Sequence, residues 1–230
     1  MTEVNVLDHG YVRLIETWGS DEGIIEAARM STAKGFLGWG TSDAPGDEKL
    51  LRFLYENKHS TPFEMAGMTI EVQAPIFVFR EWHRHRTQSF NEMSARYIPL
   101  PDVNYVPSVE RLLINSKTNK QAGTIKGADE LTEEGAARFR SSLLEIYAQA
   151  QDLYESALKM GVPKELARVH LPVGRYSRMR ASANLRNWLA FLTLRMAPAA
   201  QWEIRMYANE VSALIASAFP RTYALFSSER

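Results

Sequence analysis

The chain has 230 residues, enough for one large domain or two small ones, and its 45% hydrophobic content is that of an ordinary globular protein. Lys plus Arg and Asp plus Glu number 27 each, so the net charge is zero and a general electrostatic attraction to nucleic acid or to an anionic membrane is poorly supported. There is no cysteine, no apolar run of the roughly 18 residues needed to span a bilayer, and no secretory signal pattern in residues 1–10. Disulfides, thiolate metal sites and thiolate nucleophiles are therefore out, and the chain reads as cytoplasmic.

In chain order, YVRLIETW (11–18) alternates as a strand, and Ser20 is placed to cap a short helix whose first turn carries Asp21 and Glu22. The Gly- and Pro-rich 35–46 stretch reads as a loop, followed by a helix with Leu50, Leu51, Phe53 and Leu54 at helical spacing, which HSTPFE (59–64) breaks. AGMTIEVQAP (66–75) alternates Met68, Ile70 and Val72 against polar residues, the pattern of a half-buried strand. From Pro75 the spacing becomes helical, so the basic stretch that follows sits at the end of that helix and just beyond it.

Residues 99–130 are proline-rich, then polar without period, and are expected to form a mobile surface excursion. Thr132 is positioned as the N-cap of the longest helix. Its stripe of Phe139, Leu143, Ile146, Tyr147, Ala150, Leu153 and Tyr154 predicts a core element, and GVP (161–163) stops it. A short helical turn over KELA, a strand over VGRYSRMRASAN (173–184) and two further helices separated by Pro198 complete the chain. No boundary divides it, which predicts one mixed α and β domain over 1–230.

REWHRHRTQSFNEMSARY (80–97) places four arginines, two histidines and two glutamates in one stretch of a neutral chain. Guanidinium groups grip phosphates and carboxylates through paired, charge-assisted hydrogen bonds, and SFNEMS adds hydroxyls, an amide and a carboxylate able to read a polar ring or sugar. Pairing of these arginines with Glu81 and Glu92 is the bland alternative. His83 and His85 have the spacing of two zinc ligands on a strand, but the flanking cations repel a metal and no cysteine is available, so no metal site is expected.

The motif Arg84, His85, Arg86, seven residues and then Ser94, followed by Arg96 and Tyr97, resembles the signature of the flavin-dependent thymidylate synthases. HSTPFE, APIFVFREW, VPKELARVHLP, NLRNWLAFLTLR and AQWEIRMYA resemble that family in order and spacing, so the likeness covers nearly the whole chain. It implies an α+β fold with an antiparallel sheet flanked by helices, assembled as a homotetramer with active sites between subunits. The implied reaction transfers the one-carbon unit of methylenetetrahydrofolate to C5 of dUMP, with FAD as hydride carrier and NADPH as reductant. Nucleic acid and membrane are not expected as partners. A cysteine-free chain suits this scheme, because activation of the uracil is then electrostatic rather than covalent. No GxGxxG fingerprint is present, so a flavin is not held in a Rossmann unit.

Carried over position by position, the resemblance makes Arg195 the catalytic residue. It assigns dUMP binding to Glu81, Trp82, His83, Arg84 and Arg195 on one side, to Glu92, Met93, Ser94, Ala95 and Arg96 from another subunit, and to Arg168. FAD binding falls to His59, Thr61, Arg84, His85, Arg86, Glu92, Asn184 and Arg186. Glu81 stands where the family often has Gln, and Ala190 where some members carry a flavin-contacting Asn. On local grounds alone Arg195 also suits a helix C-terminus and Asn184 an N-cap. Two rival classes are a nucleic-acid module using 80–97 as a phosphate patch and a zinc hydrolase using His83 and His85.

Overall fold

The computed structural model describes residues 3–41, 43–116, 119 and 122–228. The elements in order are β1 Glu3–Val6, β2 Gly10–Trp18, α1 Asp21–Arg29, α2 Gly46–Glu56, β3 Gly67–Pro75, α3 Ile76–Trp82, β4 Ser89–Glu92, α4 Val109–Leu113, α5 Glu133–Lys159, α6 Lys164–Ala167, β5 Tyr176–Asn184, α7 Leu185–Arg195, α8 Trp202–Ala218 and α9 Pro220–Ser228. A 3₁₀ turn over Thr61–Glu64 leads into β3.

The strands form one antiparallel sheet in the order β1-β2-β3-β5-β4. Its inner face follows directly from the alternation: Met68, Ile70, Val72 and Ala74 of β3 and Met179, Ala181 and Ala183 of β5 are buried, and α7 and α8 pack against the sheet. The polar partners face outward. Across that face Arg13, Glu71, Arg180 and Asn91 stand in register on neighbouring strands, and Glu71 accepts from Tyr11, Arg13 and Arg180. These contacts hold the Glu71 carboxyl below its ordinary range against the opposing effect of burial, which is the largest single influence on it.

The helix starts behave as their caps dictate. Ser20 Oγ accepts from Gly23 N, Thr132 Oγ1 from Gly135 N and Asn184 Oδ1 from Asn187 N, each relieving one orphan amide. One expectation is overturned. Along α5 only Ala136, Tyr147, Tyr154 and Ala157 are buried, while Phe139, Ile146 and Leu153 are 50%, 57% and 53% exposed. The helix rests on its own chain by a narrow row, and the rest of its apolar stripe faces away from it.

The 99–130 stretch is also less free than expected. Tyr105 donates from Oη to Glu203, Arg111 bonds both oxygens of Glu203, and Val106 N donates to Asp8, so residues 105–111 are tied to α8 and to the β1–β2 turn. Part of the segment expected to be mobile, residues 117, 118, 120 and 121, lies outside the described residues. Among the described residues no helix is long and apolar enough to cross a membrane.

Candidate active site

Helix α7 is the spine of the site, because two of its rows address two different segments. Asn187, Phe191 and Arg195, at i, i+4 and i+8, face the turn that carries the basic motif. Arg186, Ala190 and Thr193, at i, i+4 and i+7, face the segment around His59 and Ser60. Asn184 starts this helix by capping it, so its side-chain oxygen is already engaged.

Residues 82–88 form a tight turn at the end of α3. His85 N donates to Trp82 O at 3.0 Å, and Asn187 Nδ2 donates to Thr87 O at 2.9 Å. Trp82 is fully buried and stacks on Phe191 with ring centroids 4.6 Å apart. Its side chain is therefore core, and at position 82 only the backbone is available to a nucleotide. The two histidines diverge. His83 lies among Phe79, Phe90 and the sulfur of Met179, 3.1 Å from its Nε2, whereas His85 meets the edge of Phe191 at 4.9 Å and points to Arg195. No group of three or more metal-ligating side chains occurs among the described residues.

Arg195 is the most constrained group here. Its Nε donates to His85 Nε2, one terminal nitrogen to Glu81 Oε2 and the other to the Glu81 backbone oxygen, each at 2.8 Å. Three of its five N–H donors are thus committed and two remain. The arrangement fixes the tautomer of His85, because Nε2 must be the acceptor and the proton sits on Nδ1. Burial, reinforced by the adjacent Arg195 charge and only partly offset by Glu81, lowers the His85 pKa to about 4, so the ring is neutral at physiological pH.

The surrounding charges do not neutralise the basic motif. Glu81 is spent on Arg195, and among the described residues Glu92 makes no ion pair. Arg84 and Arg86 are exposed and have no hydrogen bond or ion pair among the described residues, so the bland alternative of pairing with Glu81 and Glu92 is not met for them. Two unopposed guanidiniums on a tight turn are a receptor for an anion.

The remaining expected residues fall into two groups. His59, Arg186 and Ala190 line one cavity of about 150 Å³ with Ser60 and Thr193, and His59 and Thr61 line an adjoining opening of about 280 Å³. Arg186 is paired with Glu64, and His59 lies edge-on to Phe53 at 5.4 Å. Elsewhere, β4 delivers Glu92 and Met93 to a cavity of about 430 Å³ beside Arg178 and Arg180 of β5. Past it, Ser94 Oγ accepts from Arg96 N, Ala95 is buried, and Arg96 meets Glu165 at 3.2 Å in an exposed pair. Lys164 Nζ donates to Tyr97 O at 2.8 Å, which brings α6 and the following Arg168 alongside. No hydrogen bond or ion pair among the described residues joins this group to Arg195. Arg178 and Arg180 were legible only as the outward row of a strand; nothing local marked them as cavity-lining.

Three comparisons bear on this arrangement. The Thy1 family, described as thymidylate synthase complementing protein, matches residues 13–221. A flavin-dependent thymidylate synthase of Thermus thermophilus is 40% identical over 97% of this chain and 77% of the relative, and one from Thermosipho africanus is 38% identical over 97% and 93%. The solved structure of PolB from Streptomyces cacaoi, a UMP/dUMP methylase bound with 5-Br dUMP, superposes with a TM-score of 0.81 at 32% identity, covering 98% of this chain and 97% of that one. With its antiparallel sheet, its helices and its basic turn, the chain belongs to the flavin-dependent thymidylate synthase family.

Proposed function

We propose that the protein converts dUMP to dTMP by reductive methylation, with methylenetetrahydrofolate as carbon donor, FAD as flavin and NADPH as reductant, in active sites shared between the subunits of a homotetramer. The observation that carries this reading is the Arg195 guanidinium, held in place by neutral His85 and by Glu81 with two donors unspent.

With no cysteine in the chain, no thiolate adds to the uracil, and the ring must be activated by charge. Arg195 supplies that charge. The remaining N–H donors stabilise negative charge developing on a uracil carbonyl and N3, and because the guanidinium is already fixed, little reorganisation accompanies the reaction. His85, being neutral, orients Arg195 without adding a second cation that would repel it. Glu81 balances the charge of Arg195 and keeps its plane aligned through both its carboxylate and its backbone oxygen.

The residues present fit an FAD. Arg84 and Arg86 pair with no acid among the described residues and suit its phosphates, while His59 and Arg186 rim a cavity beside α7 and Thr61 lines the adjoining opening. The chemistry an FAD held there would supply is hydride transfer, with NADPH as the reductant. Arg96, Ser94 and Arg168 would bind the nucleotide phosphate of a site completed by another subunit. Two features support the assembly: no hydrogen bond or ion pair among the described residues joins that group to Arg195, and α5 carries an outward apolar row.

The experiment is an absorbance spectrum of the purified protein, followed by NADPH and then by dUMP with methylenetetrahydrofolate. Flavin bands that bleach with NADPH and return as dTMP forms are the expected result. A colourless protein that cannot be reconstituted with FAD overturns the reading.

A further inference from the structure

The basic turn is closed at its base by a polar side-chain contact inside the core. Trp82 Nε1 donates to Gln88 Oε1 at 3.0 Å, and both side chains are buried. The other end of that amide is costly: Gln88 Nε2 is buried and has no partner among the described residues. A buried donor left unpaired is a standing penalty that an apolar residue at 88 would avoid, so the amide is explained only by what its oxygen secures.

That oxygen secures geometry. Between residues 82 and 88 lie Arg84 and Arg86, exposed and without internal ion pairs among the described residues, and His85. The indole that Gln88 holds stacks on Phe191, the edge of His85 rests on the same Phe191, and His85 takes the Nε–H of Arg195 at 2.8 Å. The chain of contacts runs from Gln88 to the guanidinium through packed rings. Asn187 holds the turn a second time at Thr87 O, from α7.

We propose that Gln88 is a positioning residue for the reaction proposed above: by holding the Trp82 indole it fixes the 83–87 turn before any ligand arrives, aiming Arg84 and Arg86 at the anionic ligands and keeping His85 on Arg195. The inference rests on the functional reading above, since FAD and dUMP are the ligands served. A turn left loose would have to be ordered at the moment of binding, and that entropy would be subtracted from affinity.

Two variants of the full-length protein separate positioning from mere stability. Gln88→Met keeps the volume and strands the Trp82 N–H; adding Trp82→Phe removes the stranded donor, at the cost of a cavity where the second ring of the indole stood. The FAD Kd and the dUMP KM of both variants are expected to stay at least tenfold above wild type, with kcat changing less than KM, whichever of the two is the more stable. Variants that bind FAD and dUMP within twofold of wild type overturn the proposal. In FAD-free wild-type protein, slow exchange is expected at the His83 and His85 amides, which donate to Phe79 O and Trp82 O, and fast exchange at both overturns the proposal whether or not the variants fold. A wild type that binds neither FAD nor dUMP removes the functional reading, and the inference with it; a binding-competent wild type with indifferent variants removes the inference alone.

Discussion

Arg195 Nε and His85 Nε2 lie 2.8 Å apart, joining residues 110 positions distant in the chain by a bond in which the imidazole can only be the acceptor. The ring must therefore stay neutral for the contact to exist, and its pKa of about 4 ensures that it does.

This sets a pH dependence whose sign is fixed. The folded pKa of His85 is depressed from 6.5 to about 4, so between those values the unfolded chain takes up a proton that the folded chain refuses. The stability contributed at this site is complete above about pH 6.5 and is lost progressively as the pH falls through about 4. The partial exposure of the site keeps the slope below the limit of about 1.4 kcal/mol per pH unit for one proton. Melting temperatures from pH 7 to 4 should fall less steeply in His85→Gln, whose amide oxygen still accepts from Arg195 and does not titrate. Equal slopes in both proteins would mean that His85 is not the titrating group.

Arg195→Ala should reduce dTMP formation by at least about 10²–10³-fold, the scale for removing a pre-aimed electrostatic donor, while most FAD remains bound. Arg195→Lys should recover little of it, because one ammonium cannot meet His85 Nε2, Glu81 Oε2 and Glu81 O in the plane that the guanidinium spans. Single-turnover rates with dUMP and methylenetetrahydrofolate check both. Turnover by the alanine variant at the wild-type rate would remove Arg195 from the mechanism.

Arg86→Ala acts differently, since Arg86 is exposed and holds no internal acid among the described residues, so little stability is at stake. Its loss should weaken FAD binding by about 10- to 100-fold, the worth of one charge-assisted contact, with the melting temperature of the FAD-free protein nearly unchanged. Flavin absorbance per protomer after gel filtration reports the effect, and an unchanged FAD content would exclude Arg86 from the cofactor site.

Much of this architecture was written locally. Ser20, Thr132 and Asn184 announce their helices through caps, and the alternation in 66–75 fixes which side of β3 is buried, since both signals act over three or four residues. The basic turn was legible from the apolar residues that anchor α3 before it. What was not legible depends on distant partners. Four-residue β4 has no periodicity of its own and exists because β5 pairs with it, and the Trp82–Gln88 bond carries no pattern at all. For α5 the stripe was read correctly and its destination was not, because periodicity tells which residues are apolar and says nothing of what covers them.

That outward row supplies the last prediction. Phe139, Ile146 and Leu153 recur at seven-residue intervals on α5, each about half exposed, a spacing that suits packing against another helix. If a second copy covers the row, burying the remaining half of each side chain contributes about 0.8–1.5 kcal/mol, and a two-fold contact counts every substitution twice. Ile146→Asp should then shift the assembly toward smaller species in sedimentation velocity at micromolar protein. If the site is shared between subunits as proposed, FAD occupancy should fall in parallel, and added FAD should partly restore the larger species. Ser141→Asp, an exposed position on the opposite side of the same helix, is the control and should leave both readouts at wild type. An Ile146→Asp protein with unchanged sedimentation and full flavin would mean that α5 faces solvent in the assembled enzyme and that the subunits meet elsewhere.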